Sequence, residues 1–370
     1  MSRALAILLA LVVSACTVAN PSATPTPTPT REPGALNVTA LLDLSGSRAP
    51  NGAPQRDALQ LWADQHPTGT PRVRLKIVDA ASSPSKTALE LRRAAVDDRA
   101  DAIIVGVTVE YDAAFAGAVQ LAQVPVLFTL PIPEPAAAGG GWAFALAPTP
   151  AQLARTVLDD GAARTVLTSS LVVSDESTSA IAERAALVTD LARRTVTANV
   201  VKVTTADATQ RLRPMLATAP VVFFAGTPKT YVEAARSATT GTLLYFSYLS
   251  ELGDIGDLRE AATAATWPGS RWLAQGATGG RAPTAFVQSY SDRAGPPTTP
   301  AASAYDALAL LAKAAEGGVE AARLRDRLQV STFAGVATTY SFSTTRRAGF
   351  ALGDLAFLRY TGARSLPVIR

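Results

Sequence analysis

Ala102-Ile103-Ile104-Val105-Gly106 is a run without a polar side chain, and Val221-Val222-Phe223-Phe224-Ala225 repeats the pattern later in the chain. A half-buried strand alternates apolar and polar residues. Short continuous runs rich in β-branched and aromatic residues instead fit strands covered on both faces of a parallel sheet. Outward from these two, strands are predicted over Leu36–Leu42, Val73–Val78, Ala102–Val107, Pro125–Thr129, Thr165–Val173, Val196–Val203, Val221–Ala225, Leu243–Ser247 and Trp272–Ala277. Between them, amphipathic stretches predict helices over Pro54–Gln65, Ser85–Asp98, Tyr111–Ala122, Ala151–Leu158, Thr178–Arg194 and Lys229–Ala238. Pro54 suits a first helical turn and Ser85 an N-cap. Alternation repeated this often predicts an α/β fold of βαβ units.

After Ala277 the pattern changes. Helices are predicted over Thr284–Asp292, Ala301–Glu316 and Ala321–Leu328, then a β-rich tail through Tyr340-Ser341-Phe342 and Leu355–Tyr360. Helices that return after a second set of strands suggest that the chain recrosses to the first lobe. Of the 370 residues 48% are hydrophobic and 17% charged, which argues for a well-buried folded chain. About 335 residues follow the N-terminal segments, more than one core usually holds, so two lobes are expected. The net charge of +4 is spread along the chain without a Lys/Arg block, which argues against nucleic acid as a partner.

Met1-Ser2-Arg3, the apolar run Ala4–Val13 and Val13-Ser14-Ala15-Cys16 describe an export signal rather than a membrane span. Cys16 is the only cysteine, so no disulfide framework or cysteine-based metal site is expected. The arrangement resembles the lipobox of bacterial lipoproteins, which implies that the Cys16 thiol is diacylated and becomes the new N-terminus. Residues 1–16 are therefore read as a lipoprotein signal and 17–35 as a Thr/Pro-rich linker, extended like polyproline II. The expected location is the cell membrane, lipid-anchored on the extracytoplasmic side.

Little here speaks for an enzyme. The single histidine, His66, falls at a helix end before Pro67. No Gly-x-Ser-x-Gly, phosphate-cradling loop or His-x-x-x-His pair occurs. Asp97-Asp98 and Asp159-Asp160 read as solvated charge at helix ends or surface turns. No catalytic residue, metal or cofactor is expected.

Several stretches carry a family likeness: Leu42-Asp43-Leu44-Ser45-Gly46, Asp79-Ala80-Ala81-Ser82-Ser83-Pro84, Ala102–Gly106, Val124-Pro125-Val126-Leu127 and Phe144-Ala145-Leu146-Ala147-Pro148. Phe286–Tyr290, Ala304-Tyr305-Asp306-Ala307, Phe333-Ala334-Gly335-Val336 and Tyr340-Ser341-Phe342 continue it. From about Leu36 to Arg364 the chain resembles the type I periplasmic-binding-protein fold, in particular the branched-chain amino acid (Leu/Ile/Val) substrate-binding lipoproteins of ABC importers. The resemblance implies two lobes, each a mainly parallel sheet flanked by helices, joined by three crossings. It assigns 36–146 plus 278–330 to the N-terminal lobe and 147–277 plus 331–370 to the C-terminal lobe. It also implies a small amino-acid-like ligand clamped between the lobes and ABC permease subunits as partners.

Ligands of open α/β sheets sit outside the carboxyl ends of the strands. The expected ligand-binding residues are Ser45, Gly46, Ser47, Thr108, Glu110, Tyr111 and Thr129 from the first lobe. Thr178, Gly226, Ser247, Tyr248 and Glu251 join them from the second, with Asp175 and Thr227 nearby. Thr108, Thr129 and the start of the Tyr111 helix could take a carboxylate, and Glu110 or Glu251 an ammonium. Thr108 reads equally well as a helix cap, Glu110 as a first-turn acid facing the helix dipole, and Tyr111 and Tyr248 as lobe packing. Tyr305 and Asp306 read as structural. Val109-Glu110 stands where the family has a hydroxyl-rich Ser-Ser turn, Thr178-Ser179 where it has an aromatic-glycine pair, and Ala145 where it has arginine. Glu110 would repel a ligand carboxylate, which leaves two readings: a ligand other than a standard α-amino acid, or a non-transport sensory or enzyme-activating lipoprotein.

Overall fold

The strands form two main sheets in a computed structural model that describes residues 34–137, 141–252, 265–275, 281–359 and 368–370. Cys16, the signal and most of the linker lie outside these residues, as do Gly276, Ala277 and Tyr360. The first half runs β1 (Leu36–Leu42), α1 (Ala53–Gln65), β2 (Val73–Asp79), α2 (Pro84–Val96), β3 (Ala102–Gly106), α3 (Ala113–Ala122), β4 (Val126–Phe128) and β5 (Ala143–Ala145). These strands make a parallel sheet of order β2-β1-β3-β4-β5. Next come α4 (Pro150–Arg164), β6 (Ser169–Ser174), α5 (Thr178–Arg193), β7 (Thr197–Lys202), α6 (Ala208–Leu216), β8 (Val221–Ala225), α7 (Pro228–Ala235), β9 (Leu243–Phe246) and β10 (Ala265–Ser270). α8 (Arg271–Gln275), α9 (Arg281–Ala294), α10 (Thr299–Ala315) and α11 (Ala321–Leu328) follow, then β11 (Thr332–Ala334), β12 (Thr339–Ser341), β13 (Leu355–Arg359) and β14 (Val368–Ile369). The second sheet has order β14-β13-β10-β9-β8-β6-β7, with all strands running one way except β13, which is antiparallel to both β10 and β14.

Both opening runs are covered on both faces. Ala102 and Ile104 join the core with α1 and α10, while Ile103 and Val105 face the α2 and α3 side. Val222 and Phe224 pack with α6 and α7, and Val221 and Phe223 with α4 and α5. Two-sided burial is the reason these strands lack polar alternation.

β6 begins at Ser169 rather than Thr165, and α4 runs on to Arg164 rather than ending at Leu158; four further expectations need correction. The N-cap of α2 is Ser83, whose side chain accepts from the Lys86 N–H, and not Ser85. α3 starts two residues later than predicted, because the Asp112 carboxylate caps the Phe115 N–H at 2.8 Å. The last parallel strand is β10, not Trp272–Ala277: Trp272 stands on α8, and Pro268-Gly269 hid the strand by reading as a turn. Pro268 is tolerated because its segment pairs only with antiparallel β13, and a Cβ on Gly269 would lie 2.5 Å from Leu358.

The fourth correction concerns 331–370. Val336, Ala337, Tyr340, Phe342 and Phe350 pack into the core of the first sheet, and Ala348 bridges Ala145 of β5. Only β13 and β14 join the second sheet. The chain therefore passes between the sheets after β5, after β10 and before β13. Leu130, Ala147, Leu153, Tyr248, Leu249 and Leu252 form a separate buried cluster at these passages.

Candidate functional site

Loops at the carboxyl ends of both sheets enclose two cavities. One, about 570 Å³, is lined by Ser47 and Arg48 after β1, Thr108 after β3, Asp175–Ser179 after β6, and Gly226 and Thr227 after β8. The other, about 310 Å³, is lined by Thr108–Asp112, by Pro131 and Pro133 after β4, and by the first turns of α5 through Glu183. Thr108, Thr178 and Ser179 line both, so they are two parts of one cleft between the lobes.

Six of the expected residues line this cleft: Ser47, Thr108, Glu110, Tyr111, Thr178 and Gly226. The other six do not line either part, because the chain itself uses their polar atoms or buries them. Ser45 donates to Asp79 at 2.5 Å, and Gly46, at φ +79°, packs against Ser82. Thr129 is fully buried and donates to Gln55 Oε1 at 2.5 Å. Ser247 is buried and donates to Glu183 Oε1 at 2.5 Å. Tyr248 lies in the cluster at the lobe passages. Glu251, offered as an ammonium partner, is buried; it accepts from Trp267 Nε1 at 3.1 Å and from the Thr299 N–H at 2.5 Å. It ties the β10 strand to the start of α10.

Each wall is held by its own hydrogen bonds. Asp79 accepts from the N–H groups of Leu44, Ser45 and Ala81 as well as the Ser45 hydroxyl. Desolvation works against its charge, but these donors outweigh it and hold the carboxyl at about 2. Arg48 pairs its Nε with the buried Asp43 carboxylate at 3.1 Å. Across the cleft, Asp175 accepts from the N–H and hydroxyl of Thr227 and from the Ser177 N–H. That bond needs Gly226: at φ +113° a Cβ there would lie 2.3 Å from Asp175 Oδ1.

Sequence reasoning missed three groups. Arg48 follows an expected loop but was not singled out. Asp112 carried a legible signal, an acid before an apolar helical run, which the reading that started the helix at Tyr111 passed over. Glu183 had no local signal; it sits inside α5 among alanines, and only the tertiary fold turns it toward Ser247 and the cleft. Burial pushes the Glu183 carboxyl up to about 8, against the donors Ser247 and Gly226 N–H and with help from the Asp175 charge. It is mostly uncharged at neutral pH. His66 stands at the end of α1, stacked on Trp62 with ring centroids 4.3 Å apart.

Comparisons with known proteins agree with this architecture. The family model described as periplasmic binding protein matches residues 35–364. The chain belongs to the periplasmic binding protein family. An extracellular ligand-binding receptor from Rhodopseudomonas palustris HaA2 is 16% identical, with a TM-score of 0.74 over 90% of this chain and 99% of that one. The leucine binding protein LivK of Thermotoga maritima is 15% identical, with a TM-score of 0.73 over 90% and 97% of the two chains. The branched-chain amino acid transporter substrate-binding protein LivJ of Streptococcus pneumoniae, in complex with isoleucine, is 16% identical, with a TM-score of 0.71 over 91% and 100%. At such identities the likeness is one of fold. The search of curated proteins found no match.

Proposed function

We propose that this protein is a solute-binding lipoprotein that captures a small polar or amino-acid-like molecule between its lobes and delivers it to an ABC importer. The observation that carries the reading is the cleft itself, a polar cavity between loops of two sheets joined by three passages. A ligand that touches both walls favours the closed state by its differential affinity for it. Lipid on Cys16 would hold the clamp at the outer membrane face, where permease subunits would receive the ligand. Acylation stabilises such an anchor by about 0.8 kcal/mol per buried CH₂, and two chains hold it firmly.

Thermal scans and small-angle scattering with a library of amino acids, amides, amines, polyols and small acids test this. A ligand present at 100 times its dissociation constant adds about 2.7 kcal/mol of stability, and scattering should report a smaller radius of gyration. A library in which no class raises the melting temperature refutes the proposal.

A further inference from the structure

The charge of the cleft points to one kind of ligand. Among the described residues that line the 310 Å³ part, the ionisable groups besides Tyr111 are the carboxyls of Glu110, Asp112 and Glu183. None is Lys, Arg or His. Glu110 is exposed and has no hydrogen-bond or ion-pair partner among the described residues. The larger part adds Asp175, and its other charged lining residues among those described are already paired: Arg48 with Asp43, and Glu176 with Lys202 at 2.8 Å and Arg184 at 3.3 Å.

A second observation is independent of this count. Helix N-termini are where a ligand carboxylate would normally find N–H donors; besides α4, whose start is closed by its Thr149–Gln152 capping box, three helices begin at the cleft. Two of the starts are already occupied by a side-chain acceptor of the chain: Asp112 takes the Phe115 N–H of α3 and Ser177 takes the Ala180 N–H of α5. At α7 no side chain caps the helix, but Asp175 stands beside its start, accepting from the N–H and hydroxyl of the N-cap residue Thr227. Glu183 being mostly uncharged, a bound carboxylate would meet the capped starts of α3 and α5 and the unpaired charge of Glu110. An ammonium or guanidinium would meet the free carboxylate oxygens of Glu110, with Tyr111, Pro131, Pro133 and Ile181 as an apolar wall beside them.

We propose that the ligand is an organic cation, an amine or guanidine on a short apolar body, without a carboxylate. The inference rests on the solute-binding reading above and names the ligand class of that site. Glu110 is the residue that selects for charge.

Matched probes test it: 3-methylbutylamine, cadaverine and agmatine as cations, leucine as the zwitterion, 4-methylpentanoate as the anion, and leucinamide as leucine with its carboxylate neutralised. Melting temperature and calorimetric affinity are read for the full protein and for Glu110→Gln. At least one amine or guanidine, or leucinamide, should raise the melting temperature while leucine and 4-methylpentanoate do not. Glu110→Gln should fold normally, since the side chain has no partner to lose, and should bind the cation about tenfold more weakly. That difference should shrink as salt screens the pair.

Binding of leucine or 4-methylpentanoate as tight as that of the cations overturns the inference and leaves the solute-binding reading intact. So does a cation affinity unchanged by Glu110→Gln. If the cations fail but neutral amides or polyols bind, the inference falls alone. If no probe of any class binds, both fall.

Discussion

Replacing Glu183 with glutamine should flatten the pH dependence of stability. Glu183 is buried on α5, accepts from Ser247, and is raised from 4.5 to about 8, chiefly by desolvation. A carboxyl that binds its proton more tightly when folded adds stability below pH 4.5 and loses it as pH rises toward 8. At 1.36 kcal/mol per pH unit the whole window is worth about 5 kcal/mol, of which about half falls between pH 5 and 7. Glutamine keeps the Oε1 acceptor for Ser247 and has no charge to desolvate. Urea unfolding of both proteins at pH 5, 6, 7 and 8 therefore measures the effect as a difference of differences. The variant should gain on the wild type by about 2–3 kcal/mol between pH 5 and 7. Parallel pH curves would refute the burial argument, because Glu183 would then be ionised in the folded protein with little penalty.

Three further outcomes are expected. Cys16→Ser should move the protein from the membrane to the soluble fraction while its ligand affinity stays the same; loss of binding together with the lipid would show that anchor and clamp are not separate. Gly226→Ala places a Cβ against Asp175 at φ +113° and should cost about 1–3 kcal/mol, read as a lower melting temperature. Asp306, buried on α10, accepts from the Val336 and Ala337 N–H groups at 2.7 and 2.9 Å, so Asp306→Asn turns a donor toward one of them. It should cost about 1–3 kcal/mol in urea unfolding.

Much of the fold was legible because its causes are local. β1, β8 and α11 fall on the residues predicted for them, since continuous apolar runs and helical periodicity are properties of neighbouring residues. β10 was misplaced because Pro268-Gly269 looks like a turn until β13 arrives to pair with it. α6 was missed, as a polar segment with Pro214 inside it. The structural reading of Asp306 agrees with its place, holding the backbone at Val336 and Ala337.

The candidate site divides in the same way. Six expected residues line the cleft because they follow strand ends, a position readable from the strand pattern. The other six sit equally near strand ends, yet partners far along the chain claim four of them: Ser45 by Asp79, Thr129 by Gln55, Ser247 by Glu183, and Glu251 by Trp267 and Thr299. The sequence alone determined the order of elements, the α/β class, and where loops would gather. The tertiary structure decided which polar groups remain free in the cleft and which carboxyls are buried. A hydroxyl or carboxyl next to a strand end is available or spent according to contacts that form only when the sheets close on each other.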